Sequence, residues 1–186
     1  GGRPHIGAID EPTSGDVRID GRLLRESTET ERADLRLRRF GFIFQNFNLV
    51  PVLTAAENIE FPLLFHRDLG SRERRRRVVE ALERVGLASL KDRRPGEMSG
   101  GERQRVAVAR ALAARPSIVL ADEPTASLDH ETGAAVIDLM HSLNRECGTT
   151  FLYATHDPEL IALAGRVVRL RDGRVVDEAA VAEDAG

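Results

Sequence analysis

Two short clusters within residues 98–129 hold the side chains best placed to do chemistry. The first is Ser99-Gly100-Gly101-Glu102, which runs directly into a helical pattern. Ser99 and Glu102 fit a capping box, in which the Ser side chain caps the new helix and Glu reaches back to it. Two glycines in that turn leave backbone N–H groups bare, so an anion can closely approach the positive end of the helix. The second is Asp122-Glu123, which closes the apolar run Ile118-Val119-Leu120-Ala121. A short apolar run bounded by Pro116 and Pro124 suits a buried parallel strand. Carboxylates at the carboxyl end of such a strand stand where ligands bind in open α/β sheets.

The elements that must position these clusters follow from the hydrophobic pattern. Residues 29–39 read as a charged helix, and residues 40–44 alternate into a strand that ends at Gln45. Thr54 and Glu57 make a second capping box, opening a short helix through Phe61. An arginine-rich helix follows, with Val78, Val79, Leu82 and Val85 apolar, Arg72, Arg74, Arg75, Arg76 and Arg77 on a solvated face, and Gly86 at its end. The helix after Ser99 buries Val106, Ala109, Ala111 and Leu112 and stops before Pro116. Residues 130–147 form a helix with Val136, Ile137, Met140 and Leu143 on one face, closed by Gly148. Residues 150–154 then form another buried strand, which delivers His156 to the same sheet edge. Asp157-Pro158-Glu159 starts a helix. Asp172-Gly173 joins two strands as a hairpin, and the small acidic tail from Glu178 frays. Near the start, residues 11–15 read as a turn cluster and 16–20 as a strand, whereas residues 1–9 show no periodicity.

Taken together, these residues resemble the ATPase subunit of an ABC transporter. Ser99-Gly100-Gly101-Glu102 is similar to the signature motif, and residues 118–122 to the Walker B strand, with Glu123 as its catalytic carboxylate. Ser127-Leu128-Asp129 resembles the D-loop, Gln45 the Q-loop residue, and His156 in Ala154-Thr155-His156-Asp157 the switch histidine. The motifs stand in the family's order across nearly all of residues 10–175. The wording of residues 44–64 is similar to the lipoprotein-release and macrolide-export branch.

The resemblance implies an α/β, P-loop NTPase-like fold with a mainly parallel sheet. It implies one partial ABC ATPase domain over 1–186, with a helical signature subdomain over 54–115. ATP and Mg²⁺ are the implied cofactors. In the implied roles Asp122 and Gln45 serve the metal, Glu123 polarises the attacking water and His156 contacts the γ-phosphate. Ser99, Gly100, Gly101, Glu102 and Asp129 contact nucleotide, the signature residues meeting the one held by a partner. The implied partners are a second ABC ATPase subunit, paired head to tail, and an integral membrane permease subunit. The implied place is cytoplasmic, peripheral on the inner face of the cell membrane. Phe47, Leu49, Val50, Phe61 and Phe65 form either a satellite core or a groove for a permease helix. Arg105 and Arg110 read as outer charges rather than as groups that reach the nucleotide.

One element of the family pattern does not occur in these residues. A phosphate loop needs G-x-x-x-x-G-K-[ST]. The only lysine, Lys91, lies in Ala88-Ser89-Leu90-Lys91-Asp92, with no glycine before it and no Ser or Thr after it. The expectation is an N-terminally incomplete domain, inactive alone, or a non-catalytic partner that contributes only its signature motif. A chromosome-maintenance ATPase is the remaining alternative. Its two halves are usually split by a long coiled coil, and no heptads separate Gln45 from Ser99 here.

Composition bounds the reading further. At 186 residues with a net charge of −3 the chain fits one domain and gives no global case for nucleic acid, which is not expected as a partner. A single cysteine, Cys147, excludes an internal disulfide framework. No apolar run is long enough to span a bilayer, so membrane association is expected through a partner.

Overall fold

The computed structural model describes residues 15–19, 21–172 and 174–180. The expected turn at 11–15 and the aperiodic residues 1–9 therefore lie almost wholly outside the described residues. Within the expected strand at 16–20 only a two-residue piece pairs, β1 (Arg18–Ile19), antiparallel to β2 (Arg22–Leu23).

Three parallel strands carry the site. They are β3 (Phe40–Phe44), β4 (Ile118–Asp122) and β5 (Thr150–Ala154), in the order β3-β4-β5. Phe44 pairs with Asp122 and Asp122 with Ala154, so all three strands finish at one level. Helix α1 (Glu29–Arg39) leads into β3 and opens on a capping box of Thr28 and Glu31. After β3 come α2 (Ala55–Leu63) and α3 (Ser71–Arg84), then α4 (Gly100–Ala113), which packs against α2, α3, β3 and α5 (His130–Cys147). Gly41 allows this closeness, because a Cβ there would stand 2.6 Å from the Ala111 carbonyl oxygen. The chain then forms α6 (Pro158–Leu163) and the antiparallel pair β6 (Arg166–Arg171) and β7 (Arg174–Ala180).

Several expectations change in the folded chain. Helix α2 runs one residue past Pro62, because the chain leaves it through tight turns, Leu64 N–H to Phe61 O and Phe65 N–H to Pro62 O, that need no amide from proline. On α3 the buried set is Val78, Ala81, Leu82 and Val85, and Val79 is exposed. Those four follow the i, i+3, i+4, i+7 stripe, and Val79 lies a further 100° round the helix. Leu112 is only half-buried whereas Ala107 and Val108 are buried, because α4 is enclosed on several sides and not along one stripe.

Strand β5 is half-exposed rather than buried throughout. Phe151 and Tyr153 pack on the core, and Leu152 is 42% exposed. Among the described residues β5 pairs only with β4, so one edge and one face lack the cover that a central strand has. The expected fraying from Glu178 does not hold for residues 178–180, whose backbone pairs with β6. The apex residue Gly173 lies outside the described residues, and its neighbour Asp172 has a positive φ of 51°.

Three arginines of α3 are tied into a lattice of ion pairs, and two of them, Arg74 and Arg77, are half-buried rather than on the expected solvated face. Arg76 and Arg77 share Glu73, Arg76 also reaches Glu80, and Arg74 reaches Glu60. Hydrogen bonds from Arg76 and Arg77 hold the Glu73 carboxyl down to about 2. Among the described residues no helix is long and apolar enough to cross a membrane.

Candidate active site

Because the three strands end in register, Gln45, Glu123 and Thr155 each begin a loop at the same carboxyl edge. Glu123 has a φ of 45°, a conformation that bulky residues rarely adopt, and its N–H donates to Ala154 O at 2.9 Å. This fastens the turn after β4 to the end of β5 and aims the carboxylate along the edge. His156 Nδ1 lies 2.7 Å from Glu123 Oε1, within hydrogen-bond distance, and the Thr155 hydroxyl donates to Oε2 at 3.3 Å. The imidazole is largely in solvent, whereas the carboxylate is about a quarter exposed. Asp122 is exposed at the tip of β4.

Supporting contacts hold the two loops together. The Thr125 hydroxyl donates to Asp157 Oδ2 at 3.0 Å, and Asp157 caps α6 by accepting from Glu159 N–H. Ser127 donates to the carbonyl of Gln45 at 3.0 Å, joining the loop after β4 to the loop after β3. Gln104, fully buried on α4, donates from Nε2 to the carbonyl of Pro124. The phenol of Tyr153, on the core face of β5, is pushed up to about 12 by burial and stays neutral.

The signature-like turn forms the capping box expected of it. Ser99 Oγ accepts from Glu102 N–H at 3.2 Å and Glu102 Oε2 accepts from Ser99 N–H at 2.7 Å. Gly101 is buried, and a Cβ there would collide with Thr132 Cγ2. Gly100 faces Leu128, to which a Cβ would approach within 3.2 Å. The glycines therefore let the start of α4 sit against the start of α5. Asp129 caps α5, accepting from Thr132 N–H at 3.0 Å, and that bond holds its carboxyl below the ordinary aspartate value. Among the described residues no hydrogen bond joins Ser99 or Glu102 to Glu123, His156 or Gln45. The structure thus gathers Gln45, Asp122, Glu123 and His156 at one edge and sets Ser99, Gly100, Gly101, Glu102 beside Asp129 as a separate surface.

Sequence reasoning passed over Asn58, Gln104 and the part played by Arg110. Asn58 is 1% exposed and donates to the carbonyls of Val50, Leu53 and Thr54, while its Oδ1 accepts from Val50 N–H at 2.7 Å. The readable signal was an amide on the apolar face of α2, between Ala55 and Ile59.

No group of three or more His, Cys, Asp or Glu side chains poised to hold a metal occurs among the described residues. The donors at the edge, the Asp122 carboxylate and the Gln45 amide, are hard oxygens. Such a set fits Mg²⁺, which is ordinarily bound through one or two protein oxygens together with substrate phosphates.

Comparison with known proteins agrees with this geometry. The family model described as ABC transporter matches residues 5–126. The lipoprotein-releasing system ATP-binding protein LolD of Psychrobacter arcticus is 45% identical over 168 residues, covering 90% of this chain and 74% of that protein. The ABC transporter ATP-binding protein YknY of Bacillus subtilis is 44% identical over 92% of this chain and 74% of its own length. The macrolide export ATP-binding/permease protein MacB of Syntrophobacter fumaroxidans is 43% identical over 96% of this chain, but that match spans 25% of MacB. Among solved structures, the dimeric post-hydrolysis state of the cassette MJ0796 bound to ADP and Pi superimposes with a TM-score of 0.84 at 41% identity, covering 96% of this chain and 78% of that one. A parallel sheet with Glu123 and His156 at its edge, a capped glycine turn at the start of α4, and this degree of likeness lead to one conclusion: the chain belongs to the ABC transporter family, as an ATP-binding subunit.

Proposed function

We propose that this chain hydrolyses ATP to drive a membrane permease, in a head-to-tail pair with a second ATPase subunit. The 2.7 Å contact between Glu123 and His156, on the edge that also presents Gln45 and Asp122, supports this most directly. Glu123 polarises the attacking water, its carboxylate oriented by His156 and Thr155. His156 meets the γ-phosphate as a donor from Nε2–H, on the side of the ring away from its contact with Glu123. Asp122 and Gln45 hold Mg²⁺, whose charge offsets that of the phosphates. Ser99, Gly100, Gly101 and Glu102, with Asp129, meet the nucleotide bound by the partner, through backbone amides at the positive end of α4.

The phosphate loop is proposed to lie outside residues 1–186, so these residues alone are inactive. In the second reading, which the same observation about Lys91 favours, the chain is a non-catalytic partner that contributes only its signature surface. Residues 54–115 act as the helical subdomain. On it Phe61 and Phe65 meet edge to face at 5.6 Å and are both exposed, with Leu64 and Val52 exposed nearby in sequence. This apolar patch seats the permease, and the chain works as a peripheral protein on the cytoplasmic face of the membrane.

The test is to add the chain to an intact homologous ATPase held dilute enough to be mostly monomeric. Hydrolysis should rise with added chain and saturate. No stimulation at any ratio would overturn the pairing.

A further inference from the structure

Arg110 lies in the third turn of α4, eleven residues beyond the cap Ser99. Its Nη2 donates to Phe47 O at 2.8 Å and its Nη1 to Asn48 O. Seven residues earlier on α4, the Arg103 guanidinium lies 5.1 Å from the centroid of the Phe47 ring. Residues i and i+7 share a helix face, so two cations of one face grip the same loop. Phe47 and Asn48 have φ values of 60° and 48°. Consecutive left-handed residues other than glycine persist only where their surroundings over-determine them.

Here the surroundings do so from three sides. Phe47 N–H donates to Phe44 O and Asn48 N–H to Asn46 O, which closes the turn. Asn58 of α2 pins both backbone groups of Val50. Arg110 then satisfies the two carbonyls that this conformation turns toward α4. It is half-buried, no carboxylate pairs with it among the described residues, and burial pushes its pKa below the ordinary arginine value. The guanidinium is thus committed to the loop. Gln45, two residues before Phe47, is the group that the loop carries to the sheet edge.

We propose that Arg110 is a positioning residue that fastens the Gln45 loop to the signature helix, so that engagement of Ser99 at the start of α4 is transmitted to Gln45. It rests on the roles given above for Ser99 and Gln45. A continuous helix moves as a rod, so a displacement at its capped start reaches the turn that holds Arg110. Two charge-assisted bonds to adjacent carbonyls pass that displacement to the loop. The lysine ammonium lacks the fixed planar fork that spans both carbonyls, so lysine is an incomplete substitute.

Hydrogen–deuterium exchange tests this with the chain alone and mixed with an intact, hydrolysis-deficient homologue in Mg-ATP. Alone, Arg110→Met should speed exchange at residues 47–50 by about tenfold or more, the change expected for losing one hydrogen bond of ordinary strength, with β4 and α5 unchanged. Arg110→Lys should fall between, and it decides the matter if the Met variant also loosens β4. In the mixture, the unmodified chain should gain protection at residues 99–103 and at 47–50, whereas Arg110→Met gains it at 99–103 only. Unchanged exchange at 47–50 in both variants, or equal protection of 47–50 with and without Arg110, overturns the proposal. Failure of the unmodified chain to gain protection at 99–103 would instead overturn the role of Ser99, and the arm without partner would still decide whether Arg110 holds the loop.

Discussion

Glu123 and His156 contact each other at 2.7 Å although 33 positions separate them, and both lie one or two residues past paired strand ends. The parallel pairing of β4 with β5 makes the contact. Asp122 pairs with Ala154, so the following residues emerge side by side, and the Glu123 N–H to Ala154 O bond sets the angle at which they do so. The carboxylate is thereby oriented by the fold itself, which suits the role proposed for it, acting on a water at fixed geometry.

A first expectation concerns the nucleotide. No G-x-x-x-x-G-K-[ST] pattern occurs in residues 1–186, and the proposed function puts the phosphate-cradling loop outside them. Calorimetric titration with Mg-ATP should give a Kd of about 1 mM or weaker, near −4 kcal/mol of binding. Micromolar affinity would mean that the phosphates are held by residues not considered above.

The proposed roles are asymmetric, and this can be read in a mixed dimer with an intact homologue. Ser99→Arg should abolish stimulated hydrolysis, because a bulky cation intrudes where the signature turn meets the partner's nucleotide. Glu123→Gln should change the rate by less than about twofold, within ~0.4 kcal/mol, since the phosphate cradle of its own site is proposed to lie outside these residues. The reverse pattern would overturn the assignment.

Gly101 should prove a packing residue, beside the nucleotide-facing role proposed for it. Replacing it with Ala gains up to about 1 kcal/mol of helix propensity, but the new methyl collides with Thr132, an overpacking that costs about 1–3 kcal/mol. Urea unfolding should show a net loss in the native background. In a Thr132→Ala background the same change should be neutral or stabilising, and equal effects in both backgrounds would rule out the contact.

Stability should fall in mild acid because of His66. The residue is 5% exposed, its Nε2 has no partner among the described residues, and burial is the main cause that lowers its pKa, reinforced by Arg38 and Arg77 and opposed by Asp68 and Asp34. Between the lowered folded value and the ordinary value near 6.5 the unfolded chain binds more protons, so stability is complete above about 6.5 and declines as pH falls through the folded value. The urea midpoint of the unmodified chain should drop from pH 7.5 to 5.5 more steeply than that of His66→Leu. Parallel slopes would acquit His66.

How much was legible in advance depended on the range of the forces involved. The capping boxes at Thr54 and Ser99, the helix of residues 130–147 and the strands at 40–44, 118–122 and 150–154 could be read directly from the chain. Each depends on hydrogen bonds or hydrophobic periodicity within a few residues. The order of motifs pointed to the family for the same reason, since each motif is a local device. The exposure of Val79 and Leu152 was not legible, because it depends on which neighbours cover a given face. Nor were the collision of Gly101 with Thr132, the bond from Ser127 to the Gln45 carbonyl, or the grip of Arg110 on carbonyls 62 and 63 positions away. An arginine on a helix reads as a surface charge until the fold shows what lies opposite. Local sequence determined the elements and the chemistry at their ends, whereas strand register and the crossing of α4 over β3 decided which of those ends meet.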